Sequence, residues 1–489
     1  MFEILRESDV EKLSGAVLHV LEAQGFRCEN AEMLNAYEQA GALVDHNQHV
    51  AKFPKKVIST FVEQLRKEDK SGWERQLSQE DKLIIYSGYH PYSPDVSFKA
   101  CAPTYMFHNL STQYYDDRTG ERRSGNKSDF IELIKIGDGV HPDKGMGHAL
   151  NLSDMPSEIE PLEAALTLLE YSKNPRGVYV HDVRQIPYLQ EIEEIFGIDD
   201  PYWHWMANIC PNSPLKLDKV VGERFVHMVT SGIYPCKLAA MPVAGVNVPV
   251  TVAGMTIIIA AEFIALWFAA RLLQSKKIPL VGLPVLGTMD IKTGAVSFSG
   301  FDVAIRRFAV CEFLRKWADV QLAPGPGEWS PTKSPGMYCT LEKAYFAMMA
   351  AVFTGHHPEI GVGHIDGGLA ISGMQFLLDY EFTSGLRQLE LASVTDEQLC
   401  LDGIFDIGFG FTKNFMEDDY TLAHLRSSVW MPQIYNRNGW SEQNEQQVRV
   451  DALGRLDELA AAYVKPAGRE DKLARARKVV ERAKKALCK

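Results

Sequence analysis

Between about residues 83 and 440, short apolar runs that end in Gly, Pro or a polar residue alternate with stretches of helical periodicity. The runs lie at 83–87, 105–108, 149–152, 178–181, 238–243, 280–286, 320–323 and 360–364. This alternation restricts the fold more than any other feature of the chain. A strand followed repeatedly by a helix returns each time in the same direction, which builds a parallel sheet with helical crossovers. The length and the number of runs suit a closed (β/α)8 TIM barrel better than an open sheet.

The flanks read differently. In residues 1–80 the apolar positions Val17, Leu18, Val20 and Leu21, then Met33, Leu34 and Tyr37, then Val57, Phe61 and Leu65 recur at helical spacing, which predicts an amphipathic helical preface. Residues 445–489 are helical and charge-rich, ending in DKLARARKVVERAKKAL, and are expected to pack on the molecule's own surface. The expected organisation is thus an N-terminal helical extension at 1–80, a barrel at 83–444 and a C-terminal helical tail at 445–489.

Composition narrows the class. With 46% hydrophobic and 23% charged residues the chain can fill a large core. Its formal net charge of −12 repels phosphate backbones and acidic membranes, so neither nucleic acid nor a membrane surface is an expected partner. The eight cysteines include no CxxC pair and read as reduced thiols, and the start MFEILRESDVEKL does not resemble a secretory signal. Both observations point to the cytoplasm. The apolar stretch 248–273 is long enough to span a bilayer, but Pro249 and Gly254 interrupt its front and Glu262 sits in its middle. A buried barrel strand and helix is the better reading, with Glu262 a carboxylate paired in the barrel wall.

No GxxxxGK[ST], GxGxxG, HExxH or GxSxG pattern is present, which removes the sequence grounds for P-loop, Rossmann, zincin and nucleophile-elbow enzymes. Three Gly/Pro-dense loops follow or frame strand ends, at 242–249, 323–336 and 355–368, and in a barrel such loops carry the chemistry. His356, His357, His364 and Asp366 have the residue types of a metal site, but the adjacent histidines and the following Pro358 make poor ligand spacing, and no metal is expected. The aromatics Tyr202, Trp203, Trp205, Phe301 and Trp329 either fill the core or form a cage for a quaternary ammonium, whose charge is attracted to ring faces.

Four segments, in order, carry a family resemblance: YYDDRTGERRSGNKSDF at 114–130, CPNSPLKLDKVVGERFVHMVTSGIYPCKLAAMPVAGVNVPVTVAG at 210–254, LGTMDIKTGAVSFSG at 286–300, and YTLAHLRSSVWMPQIYNRNGW at 420–440. Together they resemble the trimethylamine methyltransferase superfamily. The resemblance implies a (β/α)8 barrel that moves a methyl group from an amine to the Co(I) of a separate corrinoid protein, so that the cobalamin is supplied by the partner and not bound by this chain. The founding enzymes contain pyrrolysine; this chain has 489 standard residues and is similar to the branch without it, for which glycine betaine and related betaines are the substrate type.

Candidate roles follow from that resemblance. The stretch 355–368 corresponds to the region where the family places pyrrolysine, which makes His364 and Asp366 the candidate polar groups, His364 as a donor to a betaine carboxylate. Tyr105, Phe107, Asp290, Phe301 and Trp329 are candidates for binding substrate, with Asp290 either a helix cap or a pocket residue. At 105–108 the family often has Gly-rich sequence, and the bulk of Tyr105, Phe107 and His108 would reshape the pocket. Pro324, Gly325 and Gly327 are expected to face the corrinoid protein. The alternatives are a non-catalytic scaffold that binds the corrinoid protein and a metal-assisted hydrolase on the same barrel; a homo-oligomer is compatible with either.

Overall fold

The structure is a computed structural model that describes residues 3–73, 110–142, 145–325, 327, 329–355, 360–386, 395–408, 410, 413–435 and 444–488. It is a mixed α/β molecule with several small sheets. The expected strands at 83–87 and 105–108, with Tyr105 and Phe107, lie outside the described residues.

Successive segments pair in parallel, each with the next in the chain. Ser111 bridges Leu150, and Met146 bridges Pro175. Val178–Val180 then pairs with His204–Met206, Ile209 bridges Leu238, and Cys236–Ala240 pairs with Leu280–Pro284 in the register Lys237 to Val281 and Ala239 to Leu283. Ala323 continues the series by donating its N–H to the Gly282 carbonyl. On the other side of the first segment, Gln113–Tyr115 pairs in parallel with Ala370–Ile371, which itself runs antiparallel to His364–Ile365. Among the described residues no closed barrel is recorded. The segment at 204–206, whose His and two large side chains hide its strand character, is not among the runs read from the sequence.

Both faces of these strands are buried, as a parallel sheet requires. Cys236, Leu238 and Ala240 join the large apolar core on the helical side, while Lys237 and Ala239 alternate to the opposite face. The helix Val252–Leu273 explains the membrane-like stretch: it packs between Glu7–Ala23 and Phe301–Ala318, and its residues from Ile259 to Ala270 are buried. Glu262 within it is fully buried and accepts hydrogen bonds from Leu215 N (2.8 Å) and Ser213 Oγ (3.0 Å). Burial dominates those bonds and pushes its carboxyl up to about 7.

The N-terminal segment corrects the all-helical expectation. The helices Glu7–Ala23, Ala31–Gln39 and Lys55–Lys67 coincide with the periodic positions, but the strands Phe26–Cys28, Leu43–Asp45 and Val50–Lys52 lie between them. These runs are too short to show a period of two in the sequence. Phe26–Cys28 pairs in parallel with Lys216–Leu217, and Tyr37 Oη donates to the Ala265 carbonyl at 2.9 Å, so the segment shares one core with the strands and helices that follow. At the other end, Glu470–Leu487 buries Leu473, Ala476, Val479, Val480 and Ala483 against Glu160–Tyr171 and Ile186–Phe196. The basic tail is therefore a packed helix.

Candidate active site

The residues of the site come from the ends of the parallel segments and from two long loops. His364 is 1% exposed, and its Nδ1 lies 3.0 Å from Ser111 Oγ, whose hydroxyl donates to the Gly368 carbonyl at 3.1 Å. That pair ties the strand bearing His364 to the first parallel segment. Two residues on, Asp366 adopts a left-handed backbone (φ 53°), and with Gly367 and Gly368, also at positive φ, it forms a tight turn. The Asp366 carboxylate pairs with both Arg122 and Lys333. Arg122 belongs to the TGERR segment, so two of the segments singled out in the sequence meet at one ion-pair cluster.

The 323–336 loop fastens onto the same turn. Asp366 N donates to the Thr332 carbonyl and Gly367 N to the Ser330 carbonyl, both at 2.7 Å. Ser330 Oγ donates to Glu342, whose carboxyl burial raises above its ordinary value. Trp329, 7% exposed, thereby packs against the turn: a Cβ added to Gly368 would sit 2.7 Å from its ring, and one added to Gly367 would sit 3.3 Å from the Phe298 ring. The Phe298 and Trp329 rings lie tilted by 53° to each other, with centroids 6.1 Å apart. Arg307, fully buried, donates to the Phe298 carbonyl (2.6 Å) and the Pro324 carbonyl (3.3 Å), which holds the two aromatic loops in one arrangement.

Beneath the pair, Trp329 packs with Ala239, Leu283 and Val285, side chains on the non-helical face of the strands. One alternation deeper on that face, Lys237 is 5% exposed and its Nζ lies 5.3 Å from the centre of the Trp205 ring. Tyr179, on the adjoining strand, contacts Trp205 with centroids 3.9 Å apart. The result is a face with aromatic rings at two depths and a lysine beside the deeper ones.

The sequence-selected residues are distributed unevenly. His364, Asp366 and Trp329 come together here. Phe301 does not join them: it is 72% exposed and stacks on Tyr345 outside the cluster, while Phe298, three residues earlier, takes the inner position. Asp290 is exposed at a hairpin turn between Gly287–Met289 and Val296–Ser297, where its Oδ1 accepts from Lys292 N and Thr293 N. It is neither a helix cap nor a lining residue in this arrangement. Pro324, Gly325 and Gly327 are buried, and a Cβ on Gly327 would sit 2.0 Å from the Lys343 carbonyl, so these positions face the protein's interior. Among the described residues no three His, Cys, Asp or Glu side chains converge as metal ligands; His356 and His357 lie outside them. Sequence reasoning missed Lys237, Phe298 and Arg307. The available signal for Lys237 was a single charge inside the otherwise apolar run CKLAA.

A profile of the family described as trimethylamine methyltransferase (MTTB) matches residues 1–488. The chain belongs to the trimethylamine methyltransferase family. The trimethylamine methyltransferase MttB of Desulfitobacterium hafniense (strain DSM 10664 / DCB-2) is 21% identical over 437 residues, covering 86% of this chain and 81% of that protein. The protein of the same name from Methanosarcina thermophila is 24% identical over 209 residues, 42% of each chain. As a member of the trimethylamine methyltransferase family the protein is a methyltransferase, and the family match runs through the preface and the tail as well as the strands that build the site.

Proposed function

We propose that this methyltransferase takes a methyl group from a quaternary amine of the betaine type, with glycine betaine as the model substrate, and delivers it to the Co(I) of a separate corrinoid protein. The consecutive parallel pairings support a barrel closed through the hairpin of 364–371, with the reaction at its mouth. The reading extends to organisation and place: a barrel at 83–444 between the preface and the tail, working in a reducing cytoplasm. The described cysteines are all free thiols, which suits that compartment.

The observation that carries the substrate class is the pairing of buried Trp329 with half-buried Phe298 on the Asp366 turn. Two ring faces in a water-poor site attract a cation that has no hydrogen-bond donor. Transfer from such a cation breaks the C–N bond with its electron pair left on nitrogen. The leaving group is a neutral tertiary amine and needs no general acid. The chain's task is then to bind the cation, orient one methyl toward the acceptor and exclude water. Trimethylamine has no permanent quaternary charge and as the free amine requires further activation, and a chain of 489 standard residues carries no pyrrolysine to supply it.

Product analysis tests the proposal. Incubation with glycine betaine and a reduced corrinoid protein should release dimethylglycine, and omission of the corrinoid protein should abolish it. Release of dimethylamine from trimethylamine with none from any betaine would overturn the substrate assignment.

A further inference from the structure

We propose that the segment 395–431 is an acidic docking arm whose partner is a second copy of this chain, and that it seats on the outward, basic side of that copy's helix Glu470–Leu487.

The arm leaves the molecule after the helix Gly373–Leu386 and is fastened where it returns. Glu381, buried on that helix, accepts from the backbone N–H groups of Gln433, Ile434 (2.9 Å) and Tyr435 (2.7 Å). Trp430 packs beside it: a Cβ added to Gly385 would sit 3.0 Å from its ring. Between these fixed points the arm covers almost nothing. The helices Asp396–Leu399, Leu401–Ile407 and Asp419–Ser428 bury Ile407 alone. Their surface is nonetheless apolar: Leu401, Ile404, Phe405, Met416, Leu422 and Leu425 are all exposed, Phe405 at 76% and Met416 at 81%. Helices this short draw their stability from packing and not from propensity. Apolar side chains crowded on an unpacked element mark a surface that another molecule covers. The last of the four segments that carry the family resemblance, 420–440, begins in this arm and takes no part in the site.

Charge says which molecule. Residues 396–419 hold seven acidic residues against one lysine, Lys413. Two identical arms would repel each other, and the chain as a whole carries a net charge of −12, so the arm suits a local surface of opposite sign. The helix Glu470–Leu487 offers one. Its Leu473, Ala476, Val480 and Ala483 face inward, while Arg475, Lys478, Arg482 and Lys485 recur at three-to-four spacing on the exposed side. Arg482 is paired with Glu191, whereas Arg475, Lys478 and Lys485 make no ion pair among the described residues. The methylene stems of these side chains, with Ala474 and Ala486 exposed between them, give the arm's apolar residues a surface to cover. Arms exchanged between copies satisfy both surfaces, and the smallest closed arrangement is a two-fold pair.

Sedimentation velocity on the full-length protein at micromolar concentration tests this. Wild type should sediment with the mass of two or more chains. Wild type that remains a single chain overturns the proposal, including the case in which that single chain binds a basic corrinoid protein through the arm. Asp406→Lys with Glu417→Lys, and separately Lys478→Glu with Lys485→Glu, should each weaken association at least about tenfold, since each sets like charges against one another. Mixing the two reversed proteins should restore it, because every arm then meets an opposite charge. Association unchanged by both reversals, or not restored by mixing, in variants with wild-type thermal midpoints overturns the arm-to-tail contact. Should a variant fail to fold, carbodiimide cross-linking of wild type decides. Links between chains that join the acids of 396–419 to Lys478, Lys484 or Lys485 support the contact, and interchain links confined to other surfaces overturn it.

Discussion

Glu262 is the residue whose chemistry departs furthest from its surroundings. It lies in an apolar helix, and burial raises its pKa from the ordinary 4.5 to about 7. A carboxyl raised on folding holds its proton longer in the native state, so its contribution to stability is present below about pH 4.5 and is lost as pH rises to about 7. A shift of this size corresponds to ~3 kcal/mol. Asp117, pushed up to about 6 by burial despite bonds from Ser372 and Met374 N, acts in the same direction. Glu262→Gln should flatten the fall of the urea midpoint between pH 4.5 and 7; an unchanged slope would show that the helix does not hold a protonated carboxyl. In the site, Phe298→Leu and Trp329→Leu should each weaken a quaternary amine by ~1–2 kcal/mol, and Phe301→Leu should not. Equilibrium titration reads this directly, and a loss with Phe301→Leu alone would move the cage to the surface. His364→Ala should lower the thermal midpoint and impair betaine and tetramethylammonium alike, because the imidazole holds Ser111; a loss confined to betaine would return His364 to carboxylate recognition.

At the scale of elements, legibility followed period and length. The long helices at 7–23, 55–67 and 252–273 repeat their apolar positions over several turns, and strands such as Leu280–Pro284 stand out as continuous apolar runs. Three-residue strands such as Phe26–Cys28 and His204–Met206 carry too few positions to show a pattern, and the latter is disguised by its histidine, which pairs with Glu193. The site was half legible for a related reason. A turn such as 364–368 announces itself through glycines, whereas the choice of Phe298 over Phe301 depends on where Arg307, nine residues further on, holds the loop by its bond to the Phe298 carbonyl, a contact that leaves no period in the sequence. The tail gives a direct test at this scale. Deleting 463–489 removes the burial of Leu473, Val479 and Val480, at ~1.5–3 kcal/mol each as an upper estimate, and should lower the thermal midpoint markedly. A truncated protein of unchanged stability would show the helix to be only loosely attached.

For the whole molecule, the pieces form one arrangement. The TGERR segment, the 323–336 loop and the Asp366 turn converge through ion pairs and backbone bonds, and they place two rings above a strand face that carries a lysine. Family membership supplies the methyl transfer, and the aromatic pair of Phe298 and Trp329 supplies the argument for a quaternary amine over a tertiary one. The most direct test compares kcat/KM for methylation of a reduced corrinoid protein, followed by the loss of Co(I) absorbance under anaerobic conditions, with glycine betaine and with trimethylamine as donors. The account predicts efficient methylation from glycine betaine and none above background from trimethylamine. Efficient transfer from trimethylamine, with glycine betaine inert, would contradict it.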